Sequence, residues 1–134
     1  MTCLFFPAAL LLSFPALATH AAVVPDRFVG HWAGSREACG SDADDLILRI
    51  TPGRLVYWES EGTVTAVVLH AENRISLTAE LHGEGDTWRA TMRYTLSADG
   101  KQLIDGTSDP GRKIVRYRCP APMQAAPEAQ ANRR

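Results

Sequence analysis

From Thr87 to Leu96 apolar and polar residues alternate without a slip. Trp88, Ala90, Met92, Tyr94 and Leu96 fall on one face, and Thr87, Arg89, Thr91, Arg93 and Thr95 on the other. A period of two marks a half-buried β-strand, because successive side chains of an extended chain point to opposite sides. Arg74 to Leu81 repeats the pattern, with Ile75, Leu77, Ala79 and Leu81 on its apolar face. Antiparallel sheets with one wet face read this way. Shorter runs at Phe28–Ala33, Leu46–Ile50, Arg54–Ser60, Thr63–His70, Lys101–Asp105 and Arg112–Cys119 bring the total to eight. Turn residues separate them: Thr51-Pro52-Gly53, Glu61-Gly62, Ala71-Glu72-Asn73, the His82–Asp86 stretch, Ser97–Gly100 and Ser108–Gly111. The predicted fold is all-β, a single eight-stranded antiparallel meander that closes into a small barrel or folds into a sandwich. The fourth run is apolar on both faces around Val67, Val68 and Leu69. Such a stretch is either covered on both sides or presents a contact patch.

The ends of the chain differ from this middle. Leu4 to Leu17 is apolar apart from Ser13, has the length of a signal h-region and is short for a membrane span. Ala16-Leu17-Ala18 has the A-x-A form of a cleavage site, although no Lys or Arg precedes the apolar run. Residues 1–18 therefore read as a signal peptide, 26–119 as the β-barrel domain, and the Pro-, Ala- and Gln-rich 120–134 as a disordered tail. Cys3 lies at the wrong end of the apolar run for a lipid anchor. Removal of the leader leaves two cysteines, Cys39 and Cys119, which bracket nearly all of the foldable chain. In an oxidising compartment one intrachain pairing is open to them. Closing a loop of about 80 residues would stabilise the fold by roughly 4.5 kcal/mol on the chain-entropy model. The expected location is periplasmic or secreted. A formal charge of −1 implies no strong pull on nucleic acid or membrane.

Gly30-His31-Trp32 in the first run, with an arginine in the last, resembles the calycin superfamily of lipocalins and avidin-like barrels. In that superfamily the tryptophan closes one barrel end and an arginine packs over its indole. Trp32 with Arg116 or Arg118 would be the matching pair, and a cation–π contact there is worth about 1 kcal/mol. The chain departs from lipocalins in being short and in lacking a C-terminal helix, and the polar ligand set of avidin-like barrels has no counterpart. The wider pattern is similar to a small family of secreted proteobacterial proteins of unknown function. The likeness runs through Cys39-Gly40, Tyr57-Trp58-Glu59-Ser60, Gly83-Glu84-Gly85, Leu96-Ser97, Asp99-Gly100 and Arg118-Cys119-Pro120.

Several constellations were weighed for chemistry. Tyr57 and Trp58 put one aromatic on each face of a strand, so one of them faces solvent or a cavity. His82, Glu84 and Asp86 alternate along a glycine-bearing loop, and Asp42, Asp44 and Asp45 make another acidic loop. Neither has the ligand spacing of a zinc or calcium site. Glu59 and Glu61 share a face, but paired carboxylates do acid–base work only when one is buried. Arg112, Lys113, Arg116 and Arg118 crowd the last run, and Arg89 and Arg93 line the polar face of the sixth. As neighbours they would form a basic wall. Such a wall meets anionic lipid, polysaccharide or an acidic partner, or it serves to block edge-to-edge pairing. No nucleophile elbow, phosphate loop or metalloprotease motif is present. The expectation is a non-enzymatic binding protein of the bacterial envelope, with no cofactor, no metal and no catalytic residue. Its ligand would be a small molecule or envelope component held through Trp32, Tyr57, Trp58 and Arg116. The alternative is a protein inhibitor similar to the periplasmic lysozyme inhibitors, which present loops from a β-barrel. The paired-cysteine and Ser-Gly loop signatures of those inhibitors are missing.

Overall fold

The computed structural model describes residues 22–41, 43–107 and 111–121. The expected leader and all but the first two residues of the expected tail lie outside them. A single 3-10 turn, Asp26–Phe28, precedes eight strands: β1 (Gly30–Ala33), β2 (Leu48–Ile50), β3 (Arg54–Tyr57), β4 (Glu61–Ala71), β5 (Arg74–Gly83), β6 (Asp86–Leu96), β7 (Gln102–Asp105) and β8 (Ile114–Arg118). Each strand pairs antiparallel with the next, and β8 returns to β1 through Trp32 opposite Arg118 and Ala33 opposite Tyr117. That last pairing decides for the closed barrel over the sandwich. No helix among the described residues is long and apolar enough to cross a membrane.

An eight-stranded barrel of this size leaves room only for its own side chains. Phe28, Trp32, Leu48, Ile50, Leu55, Ile75, Leu77, Tyr94 and Leu103 fill it and are fully buried. Gly62 allows the wall to bend inward. A Cβ there would lie 1.9 Å from the Glu80 carbonyl oxygen, so β4 and β5 can approach only around a glycine. Cys39 and Cys119 are bonded, with Cα atoms 5.5 Å apart. The bond anchors the β1–β2 loop to the last strand, because the Cys119 N–H donates to the His31 carbonyl on β1 at 2.8 Å.

One end of the barrel is plugged. The chain entering β1 folds across it, with Val24 and Phe28 buried and the Val24 N–H donating to the Pro52 carbonyl in the β2–β3 turn. Trp32 donates its indole N–H to the Phe28 carbonyl at 3.2 Å. Arg118, rather than Arg116, lies on the indole, 4.2 Å from the ring centroid. Its guanidinium donates to the carbonyls of Gly100, Val29 and Arg27 and so ties three chain segments together. Gly30 makes the approach possible. Its φ is +152°, and a Cβ would stand 2.8 Å from an Arg118 Nη.

The structure departs from the sequence expectations in two places. Arg116 and Arg118 do not stand on a basic outer wall. Two residues apart on one strand, they share its inward face, where Arg116 is buried and Arg118 half-buried. Trp88 has the parity of the inward residues of β6 yet is 41% exposed. β7 pairs with β6 only over Tyr94–Leu96, so the far end of β6 around Trp88 runs past it and has no strand beside it on that side. Of the two alternatives for the fourth run, covering on both sides is ruled out, since Val68 and Leu69 are half exposed. β3 pairs with β4 only over Glu61–Thr63, and a register shift at Thr65 lifts the rest of β4 clear.

Candidate functional site at the open end

Among the described residues no such plug crosses the opposite end. Four connections meet there: the long β1–β2 loop, the tight Trp58–Ser60 turn, the Glu84–Gly85 turn and the β7–β8 loop. Between them lies a groove of about 360 Å³, walled by Leu81, Ala90 and Met92 and rimmed by Tyr57, Trp58 and Thr107. Strand parity explains the wall, since Leu81 and Met92 belong to the inward faces of β5 and β6.

The floor is a polar layer. Tyr57 and Tyr94 share a hydrogen bond of 2.5 Å between their hydroxyls. Burial raises both phenols above their ordinary range, Tyr94 well above it, so both stay neutral. Arg116 donates from Nη1 to Asp105 Oδ2 at 3.1 Å and from Nε to the Leu46 carbonyl at 2.6 Å. Asp105 accepts on its other oxygen from the Thr107 backbone N–H at 3.0 Å and from the Thr107 hydroxyl. This buried pair is satisfied on both sides, the condition under which a buried ion pair is tolerated. It also joins β7, β8 and the β1–β2 loop under the groove.

The groove's free charge is negative. Asp45 and Glu59 line it, no lysine or arginine does, and the third carboxylate, Asp105, is matched by Arg116. The β1–β2 loop is held in place at Asp44, which accepts from the Gly34 N–H at 2.7 Å and the Leu46 N–H at 3.0 Å. A preorganised concave site with apolar walls and a few fixed polar groups is what small-ligand sites look like.

The four residues singled out from sequence therefore occupy two kinds of place. Tyr57 and Trp58 rim the groove, and Trp58 is 54% exposed. Trp32 is sealed beneath Arg118 at the plugged end, and Arg116 is engaged beneath the groove with Asp105 and Leu46. Asp105, Thr107 and Leu81 belong to the site and were not singled out. Asp105 had a readable signal. It has the inward parity of Leu103 on β7, and an aspartate on an apolar face calls for a buried cation. Of the carboxylates considered for acid–base work, Glu61 is exposed and bound by Arg54 at 2.7 Å, which holds its carboxyl below the usual range. A general acid needs the opposite shift. Among the described residues no three His, Cys, Asp or Glu side chains converge on a metal position. Compared with protein-family models, with curated proteins and with solved structures, the chain matches none, so its likeness to other eight-stranded barrels rests on its own architecture.

Proposed function

We propose that the protein is a non-enzymatic binding protein of the bacterial envelope whose small-molecule ligand enters at the open end. The observation that carries this reading is the groove itself. Its floor is a hydrogen-bonded layer that needs no further partner, while Trp58 on its rim is left in solvent. An exposed tryptophan beside an apolar wall favours a ligand with a flat or aliphatic body. Asp45 and Glu59 favour an uncharged or cationic polar group over an anionic one. Export is supported by the apolar Leu4–Leu17 stretch with its cleavage pattern and by a disulfide that persists only where thiols are oxidised.

Native mass spectrometry of protein recovered from its own envelope tests the reading. A bound mass that disappears in a Trp58→Ala, Met92→Ala double variant is the expected result. Retention of the same mass by that variant would place the ligand elsewhere and overturn the site.

A second reading, a protein inhibitor, is favoured by one feature. The β5–β6 hairpin runs past the barrel wall and presents Trp88 beside an edge of β6 that β7 leaves unpaired. Such an edge accepts a strand from a partner. Capture of a partner protein that depends on Trp88 and not on Trp58 would select this reading over the first.

A further inference from the structure

The outer face of β5 and β6 carries charge in two different arrangements. Toward the open end the register sets Glu80 opposite Arg89, and the Thr78 and Thr91 hydroxyls share a hydrogen bond of 2.9 Å. Opposite charges facing each other across a strand pair are the stabilising arrangement. Toward the plugged end Arg74 stands opposite Thr95 and Ser76 opposite Arg93, so two arginines lie on a diagonal with no carboxylate between them. Lys113 joins them from the segment before β8. The three cations, with His70, Ser76 and Thr95, border a groove of about 250 Å³ in which no carboxylate is found among the described residues. Among the described residues no ion pair reaches Arg74, Arg93 or Lys113. Val68, half exposed, is opposite Ser76 and shares its outer face beside this groove, whereas Leu69 pairs with the buried Ile75 and belongs to the other face of β4.

We infer that this groove seats the phosphate of an anionic lipid headgroup, with Val68 entering the interfacial layer next to it. Two arginine forks and a lysine supply the charge-assisted donors that a phosphate diester accepts, arginine in bidentate fashion. Clustered cations beside exposed aliphatic side chains are the pattern of a protein that rests on an anionic membrane surface. A free soluble phosphate would use the cations alone and leave the exposed Val68 without a role. The contact lies on the outer wall, and its groove shares no lining residue with the one at the open end.

Flotation with phosphatidylglycerol and phosphatidylcholine vesicles tests the inference, on exported protein whose N-terminus has been read by mass spectrometry. Association with phosphatidylglycerol vesicles alone, lost at high salt, is the expected result. Arg74→Gln and Arg93→Gln should each weaken it about fivefold. Val68→Ser should weaken it by a similar factor. Arg49→Gln with Arg89→Gln removes the same formal charge from other exposed positions and should change it less than twofold. Equal loss in that control would show a general charge effect and overturn the site. So would absence of vesicle binding, or binding that survives the Arg74 and Arg93 substitutions. Saturation of the groove by glycerol phosphate as tightly as by vesicles would overturn the lipid as its occupant.

Discussion

At the plugged end an arginine lies on a tryptophan, and its donors close the gaps between three chain segments. At the open end the corresponding buried arginine is neutralised by an aspartate, and the tryptophan is left in solvent. The same residue types thus serve closure in one place and access in the other. What separates them is burial. Trp32 is fully buried and its indole N–H has a backbone partner, so it contributes packing to the fold. Trp58 follows the last residue of β3, in a turn, where no strand covers it. The polar floor lets the open end stay open, because it shields the apolar core without needing a lid.

This contrast is open to test, and the plugged end should give the largest effect. Trp32→Ala should cost about 4 kcal/mol in urea unfolding, the transfer and cavity cost of a large buried aromatic. A loss below about 1.5 kcal/mol would mean that the end is not closed by packing. At the floor of the open end, Asp105→Asn should cost about 3 kcal/mol, since it leaves Arg116 charged and buried without its partner. Replacing both, Asp105→Leu with Arg116→Met, should recover most of that loss if the pair acts as a unit. A double variant as unstable as the single would show that Arg116 matters through Leu46 instead.

The phenol pair gives an effect on the scale of one hydrogen bond and a pH signature. Burial raises the Tyr94 phenol well above its ordinary 10.0, so folded protein resists its ionisation while unfolded chain ionises near that value. The contribution is intact below pH 10 and is lost as pH rises above it. Tyr94→Phe should cost about 1 kcal/mol at neutral pH and move the alkaline unfolding midpoint upward. An unchanged midpoint, followed by tyrosinate absorbance and circular dichroism, would contradict the buried placement. The smallest effect belongs to Trp58. Its change to Ala should alter stability by less than about 0.5 kcal/mol in the same urea assay while changing the tryptophan emission most sensitive to added ligand.

Much of the fold was legible because its signal is local. The alternation in β5 and β6 needs only the geometry of an extended chain, and both strands lie where the pattern placed them. The short strands had blurred ends. The third run was read through Ser60, but the chain turns after Tyr57, whose N–H donates to the Ser60 carbonyl at 2.7 Å. Glu61 therefore begins β4 instead of sitting in a turn. Parity alone also put Trp88 inside. A period says which residues share a face, and only the neighbouring strand's length says whether that face is covered.

The candidate site was half legible for the same reason. Tyr57 and Trp58 were visible as adjacent aromatics on opposite strand faces. The Asp105–Arg116 pair crosses between strands, and its meaning depends on a register that no single run carries.

By itself, the order of residues determined eight extended runs and their turns. These follow from short-range sterics and side-chain alternation. Only the tertiary structure decided that β1 meets β8, that Arg118 and not Arg116 covers the indole, and that one end is filled while the other is a groove. Those outcomes depend on which strands overhang their neighbours, and that is a property of closure around the whole ring.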